Sequence, residues 1–427
     1  HGASADAELQ YIVAAELTFG DAPPCVVWIR NRSAYASLCR LLTLGRRQAS
    51  KGNCCLSFED LVSHGDEFIL GVIPDWNRLS TGTASDHHRV HAAACLIDAR
   101  DLQRYYEMFG ERCYLLAELH RGSTDQQRLD LLQELSLQTG VPLVATGDVY
   151  YHDPSHSRLQ DVLTATAHGC TVHDIGPYQF SNAQRHMRPL EDIAKLFQQI
   201  PQALERTLEI ADICGFSLAE LRYEYPEELA PTNVTPIAYL KQLAWTGARQ
   251  RYSRGIPRKV INLLQHELEL IGELNYEAYF LTVWDLVRFA RSQGILCQGR
   301  GSAANSVVCF CLGVTSVDPD TTQLLFERFI SRERAEAPDI DVDFEHERRE
   351  EVLQYLYKKY GRDRAGMTGV VTTYRLRSAV REVGKALGFP ADLVDAVAKN
   401  LDGRIAEGDL ALRCREVGLD PDELAGE

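Results

Sequence analysis

Apolar residues in the first half of the chain recur with two alternating periods. Ile12 to Leu17 and Cys25 to Ile29 read as strands. Between Ser33 and Leu44 the spacing becomes helical, with Tyr35, Leu38, Leu41 and Leu42 turned inward. Cys113 to Leu119 reads as a strand, Gln126 to Thr139 as a helix closed by Gly140, and Val141 to Thr146 as a further strand. Strands alternating with helices predict an α/β fold with a largely parallel sheet and a site at the strands' carboxyl ends, where Asp148 and His152 fall. Pro226, Pro231 and Pro236 then punctuate the stretch Tyr223 to Pro236 and mark a boundary. Helices resume over Ile237 to Ser253 and Val260 to Leu274, the second with Ile261, Leu264, Leu268 and Ile271 as its core face. Phe280 to Phe289 reads as a buried helix whose aromatic residues pack. Glu345 to Tyr360 is a helix with acids in its first turns, Lys358 and Lys359 in its last, and Gly361 after it. From Tyr374 onward, Leu376, Val380, Val383 and Leu387 line one face of a last helix, and Arg377, Arg381 and Lys385 project as a row from another.

A chain of 427 residues, 45% hydrophobic and 25% charged, has the ordinary balance of a globular protein of two or three domains. No apolar run reaches the roughly 18 residues of a membrane span, and no signal peptide opens the sequence. The 12 cysteines contain no CxxC pair, so reduced thiols in a cytoplasmic setting are expected rather than zinc ligation. The net charge of −15 argues against a protein that coats nucleic acid through its overall charge, although a local basic channel is compatible with it.

Two stretches carry chemistry. In Pro338-Asp339-Ile340-Asp341-Val342-Asp343-Phe344 acid and apolar residues alternate, so a strand here puts Asp339, Asp341 and Asp343 on one face. Three aligned carboxylates repel one another unless a cation sits among them, and hard oxygens suit Mg²⁺ or Mn²⁺. Upstream, Gly294-Ile295-Leu296 followed by Cys297-Gln298-Gly299-Arg300-Gly301-Ser302 and then Val307 to Gly313 reads as strand, glycine turn and helix. Gly299 and Gly301 would let backbone approach a ligand, Ser302 would cap the helix where phosphate is favoured, and Arg300 adds positive charge. A triphosphate cradle beside a carboxylate platform supplies the parts of nucleotidyl transfer.

With GRGSAANS, FERFISRERAEAPDIDVDFEHERREEV and TTYRLRSAVREVGKALG, the chain resembles the bacterial C-family DNA polymerases, the family of the DNA polymerase III alpha subunit. FSLAELRYEYPEE and YEAYFLTVWDLVRFARSQGILCQGRGSAANS are most similar to its error-prone members. The resemblance implies an α/β multidomain chain. Residues 1–222 would form a polymerase-and-histidinol-phosphatase (PHP) domain with a (β/α) barrel, 223–371 a nucleotidyltransferase-type palm of the polymerase-beta kind, and 372–427 the start of a helical thumb.

In the palm the resemblance implies Asp341 and Asp343 as ligands of two Mg²⁺ ions, with Asp339 as a third, weaker candidate. Arg300, Gly301, Ser302, Arg377 and Arg381 would hold phosphate, Arg377 standing where replicative members have Lys. In the PHP domain, Glu16, Asp148 and His152 match metal-ligand positions. The family's opening H-x-H motif has no counterpart after His1, and Tyr150 replaces a motif histidine, so a scaffold is the better expectation there. His87, His88 and His91 read as an exposed polar segment. The implied partners are primer-template DNA and dNTPs, with a sliding clamp and damage-response accessory proteins bound through regions outside these residues, as is the family's third catalytic carboxylate. Two other readings stay open: a PHP-type metal-dependent phosphoesterase, and a non-catalytic subunit of a damage-response complex.

Overall fold

The computed structural model describes residues 10–74, 98–221, 229–322, 329–330, 339–366, 368–369, 371 and 373–400. The expectations for His1 and for His87, His88 and His91 lie outside them. The chain divides into two compact units, His1–Leu221 joined by Thr372–Glu427, and Arg222–Val371.

The first unit is built on a five-stranded sheet in sequence order: β1 (Ala14–Leu17), β2 (Cys25–Ile29), β3 (Phe68–Val72), β4 (Cys113–Glu118) and β5 (Leu143–Thr146). The pairs β1–β2 and β2–β3 are antiparallel, and the pairs β3–β4 and β4–β5 are parallel. The sheet is therefore mixed, not largely parallel as the strand–helix alternation suggested. Side-chain alternation sends Cys25, Val27 and Ile29 to one face and Val26 and Trp28 to the other. Against the first face pack α1 (Arg32–Gln48), α2 (Phe58–His64), α3 (Ala99–Phe109) and α4 (Asp125–Thr139). In α1 the side chain of Asn31 caps the first turn, and Ala34, Leu38 and Leu41 are buried. Beyond β5 come α5 (Ser157–His168), α6 (Leu190–Leu196) and α7 (Pro201–Ile213), whose Ile210 closes the opposite face of the sheet with Ile69, Tyr114, Leu116 and Val144.

The second unit contains α8 (Pro236–Arg251), α9 (Arg258–Glu273), α10 (Glu277–Ser292), a two-stranded ribbon of β6 (Cys297–Arg300) and β7 (Asp341–Phe344), α11 (Val307–Cys311) and α12 (Arg349–Tyr360). Its core joins Leu264, Leu268 and Ile271 of α9 to Phe280, Leu281 and Val287 of α10 and to the whole of α11. Ile261, expected in the core, is only half-buried, and Val260 is buried instead. Burial pushes the thiols of Cys309 and Cys311 up to about 12, so both remain neutral packing groups.

α8 meets α11 at Gly247, where an added Cβ would overlap the carbonyl oxygen of Cys311. Gly247→Ala is expected to lower the stability of this unit by about 1–3 kcal/mol, because two helices must separate to admit one methyl group. Urea unfolding at an unchanged midpoint would contradict this.

The last described helices, α13 (Leu376–Ala386) and α14 (Ala391–Asn400), belong to the first unit. Ala386 packs with Ala165 of α5 and with Ile175, and Gly384 lies against Val394 of α14. Val383 and Leu387 were expected on the packed face and are exposed. The small residues Gly384 and Ala386 take the contact because they allow backbones to approach.

Candidate functional site

β6 and β7 pair antiparallel with Arg300 opposite Asp341 and Gln298 opposite Asp343. The regular strand is Asp341–Phe344, so Asp339 precedes it rather than sharing its alternation. Val342 turns to the core of the unit, and Phe344 packs beside Ala290, Ile295 and Val352. That anchoring leaves Asp341 and Asp343 on the other face. The turn side of the ribbon also moves relative to the sequence expectation. The strand is Cys297–Arg300 rather than Gly294 to Leu296, and Gly301–Asn305 is a single 3₁₀ turn before α11.

These pieces meet. The Arg300 Nε lies 3.1 Å from the Asp343 Oδ1, across the ribbon. The hydroxyl of Ser302 donates to the backbone carbonyl of Asp339 at 2.6 Å. Gly301 has φ +62, and a Cβ there would stand 3.3 Å from the Asp341 Oδ2. Asp339, Asp341, Asp343, Arg300, Gly301 and Ser302 thus form one cluster, bound by hydrogen bonds, an ion pair and close approach. Gly299 plays a different part from the one expected. Its N–H donates to the Val314 carbonyl at 2.7 Å, and a side chain there would meet Val314 and Thr315. It admits protein, not ligand.

Ser302 does not cap the helix. The cap of α11 is Ser306, whose Oγ accepts from the Cys309 N–H. The start of α11 is already filled by an anion, the carboxylate of Glu267 on α9. Its oxygens accept from the Ser306 hydroxyl and from the N–H groups of Val307 and Val308, each at 2.9 Å. Glu267 is fully buried.

Two further residues, Tyr279 and Asp285, were not singled out from the sequence. The Tyr279 hydroxyl accepts from the Ile340 N–H at 3.1 Å, and burial, with the nearby Asp339 and Asp341, raises its pKa above the usual phenol value. Asp285 on α10 is buried and accepts from the hydroxyls of Tyr355 and Tyr360, each at 2.8 Å. Arg288 and Lys359 pair with the same carboxylate at 2.9 and 2.7 Å. Asp285 thereby ties α10, which runs toward β6, to α12, which follows β7.

Arg377 and Arg381 sit on α13 of the first unit. Arg381 pairs with Asp395 of α14 at 3.0 Å, and Lys385 with Glu382 at 3.0 Å. The expected row of cations is therefore partly neutralised by acids of its own helical hairpin.

In the first unit a cavity of about 610 Å³ is lined by Glu16, Glu118, His120, Arg128 and Arg185 among others. Asp148 borders this region by its ion pair with Arg185. The Arg185 guanidinium also lies 4.3 Å over the Phe180 ring. Burial, opposed by Arg185 and reinforced by Glu16, raises the Glu118 carboxyl above its usual range. Burial also pushes His120 down to about 4, leaving it neutral. His152 takes no part in the lining: it is exposed, with its ring 4.5 Å from that of His156. The signal for Glu118 and His120 was present in the sequence, since both lie at the carboxyl end of a strand that the pattern already predicted.

Residues 238–416 match the family of the bacterial DNA polymerase III alpha NTPase domain. This segment belongs to the bacterial DNA polymerase III alpha family. The sequence is 55% identical over 421 residues to an error-prone DNA polymerase of Rhodopirellula baltica, covering 98% of this chain and 36% of that protein. It is 43% identical over 421 residues to error-prone DNA polymerase 2 of Agrobacterium fabrum, with 99% of this chain and 37% of the relative covered. The error-prone DNA polymerase of Pseudomonas aeruginosa is 46% identical over 421 residues, with 98% and 38% covered. The chain therefore spans little more than a third of these family members. The ribbon cluster falls within the matched residues of the family. No helix among the described residues is long and apolar enough to cross a membrane.

Proposed function

We propose that this chain carries the nucleotide and metal platform of a template-directed DNA polymerase of the error-prone type, which adds a dNTP to a primer 3′-hydroxyl. One observation carries the reading: the Arg300–Gly301–Ser302 turn and the Asp339–Asp343 acids, far apart in sequence, are built into a single antiparallel ribbon. In this reading residues 223–371 are the palm, 372–427 the start of the thumb and 1–222 a PHP-type domain. Primer-template DNA and dNTPs are the substrates, and the relatives' names support error-prone synthesis. A sliding clamp, damage-response accessory proteins and a cytoplasmic setting follow from the family likeness.

The chemistry of the donors suits Mg²⁺ or Mn²⁺ at the ribbon. Asp341 and Asp343 offer hard carboxylate oxygens, and the bare Cα of Gly301 keeps the approach to the Asp341 Oδ2 open. Among the described residues no three His, Cys, Asp or Glu side chains make a ready ligand set, so substrate oxygens and water would complete the coordination. When bound, such a cation stabilises charge on the triphosphate and acidifies the attacking hydroxyl. Asp341 and Asp343 would hold the ions, and Asp339 accepts from Ser302 through its backbone carbonyl, which supports a positioning part for it. Arg300 neutralises Asp343 in the absence of ligands, and its fork can move to the phosphates when nucleotide and cation enter. Arg377 and Arg381 would meet DNA phosphates, Arg381 by exchanging Asp395 for the backbone.

A test is primer extension by the full-length gene product with Mg²⁺ and the four dNTPs on a primed template. Incorporation directed by the template is expected, and an inert protein would overturn the reading.

At the first unit's cavity the described donors do not suit a metal. A guanidinium already pairs with Asp148 and interacts with Glu118, and His152 stands away from the lining. Added cation would have to compete with a tethered charge. With Asp341 and Asp343 both changed to Ala, titration of Mn²⁺ followed by electron paramagnetic resonance is expected to show no stoichiometric site in this unit. A site that appears there and is lost in Asp148→Asn would contradict this. The phosphoesterase reading loses support for the same reason.

A further inference from the structure

We propose that Glu267 positions the nucleotide-binding turn by holding, from inside the protein, the Ser306 hydroxyl and the Val307 and Val308 N–H groups where the turn ends. The inference deepens the polymerase reading and rests on it. A helix start presents N–H groups with no partner in the helix, and these favour an anion. Here the anion is a side chain. Glu267 receives the N–H groups of Val307 and Val308 and the hydroxyl of Ser306. Substrate phosphate is therefore excluded from that end, and its place is left to Arg300 and the Gly301–Asn305 turn.

The turn is suspended between two fixed points. At one end, Ser302 is tied to the Asp339 carbonyl, beside the acidic strand. At the other, the Ser306 N–H donates to the Ala303 carbonyl at 3.2 Å, while the Ser306 hydroxyl is held by Glu267. Ala303 is buried between them. Ser306 both caps α11 and donates to Glu267, so the carboxylate sets where the turn ends. A carboxylate accepts from all three donors. An amide in its place must aim an NH₂ group at one of them.

The effect of Glu267 is exerted through the turn, whose end it holds at Ser306. The test is steady-state primer extension by the full-length gene product, comparing wild type, Glu267→Gln and Ser306→Ala, with primer-template affinity measured in parallel. We expect the KM for dNTP to rise by about tenfold in Glu267→Gln, equivalent to about 1.4 kcal/mol of nucleotide binding. A smaller rise is expected in Ser306→Ala, and the Kd for primer-template should be unchanged in both. An unchanged KM in Glu267→Gln would overturn the proposal. So would a fall in kcat alone that tracks the fraction of folded protein, since that is the mark of a purely structural role. If Glu267→Gln does not fold, Ser306→Ala decides by the same criterion, because it removes the hydroxyl and keeps the carboxylate. Wild-type protein without extension would instead defeat the polymerase reading itself.

Discussion

Primer extension by the full-length gene product should fall by roughly a thousandfold or more when Asp341 and Asp343 are both replaced by Ala, with the second unit still folded. The size follows from what the two groups would do. They are the acids that β7 holds on the face opposite its buried residues, and no other described side chain is placed to substitute for them on that strand. Losing the cations they would hold removes several kcal/mol of charge stabilisation at the transferred phosphate. Stability should change little. Both positions lie off the core, and the Arg300–Asp343 pair has 62% and 66% exposed side chains, a setting in which ion pairs contribute little. Activity lost together with the folded signal would fail to support the assignment, and activity retained in a folded double variant would refute it. Arg300→Ala separates the two roles of that guanidinium. Without nucleotide, Mn²⁺ should bind the ribbon more tightly, because Asp343 loses a competing cation.

Asp285→Ala should be the most damaging single change to the second unit, at about 3–5 kcal/mol. The carboxylate is buried and has four partners, Tyr355, Tyr360, Arg288 and Lys359. Its removal leaves a lysine and two phenol hydroxyls facing a cavity. Burial alone would raise the Asp285 carboxyl, but hydrogen bonds from Lys359, Tyr360 and Tyr355 outweigh it and hold the group below its ordinary 3.8. For Lys359, burial pulls downward, and the bonds to Asp285 and Tyr355 win and raise it above its ordinary 10.5.

The signs fix the pH profile. A depressed carboxyl contributes fully above its unfolded value, and the contribution is lost as pH falls through the lower folded one. A raised ammonium contributes fully below its unfolded value and loses it as pH rises through the higher folded one. The wild-type advantage over Asp285→Ala should therefore be flat between 3.8 and 10.5 and shrink outside that window. Urea unfolding near neutral pH and again in acid measures it. Equal stability of the two proteins near neutral pH would show that the network contributes nothing.

Much of the ribbon was legible in one dimension. The alternation of Asp341, Val342, Asp343 and Phe344 needs only the period of a strand to put the acids on one face, and that face is what the structure shows. The strands β2 and β4 and the helices α1 and α4 were likewise readable, β2 and α1 from their apolar periods, β4 as a short continuous apolar run and α4 from the glycine that closes it. Strand direction was not. Alternating strands and helices suggested a parallel sheet, and β1 and β2 reverse, since direction depends on which neighbour a strand finds and not on its own composition.

The buried charges show the same division. Glu267 lies on the apolar stripe of α9 with Leu264, Leu268 and Ile271, and Asp285 lies inside the buried run of α10. A carboxylate in either place was visible as an anomaly, since a lone buried charge is too costly to persist. Its resolution was not visible. The donors come from Ser306, Val307 and Val308 in one case and from Tyr355, Lys359 and Tyr360 in the other, residues tens of positions away. Arg185 and Asp148 are a third instance: the sequence offered Asp148 for a metal, and the fold paired it with an arginine. By itself the sequence determined which residue types were available and which local faces they share. Only the tertiary structure decided which charges neutralise one another, because Coulomb and hydrogen-bond energies depend on distances in space that neither composition nor periodicity contains.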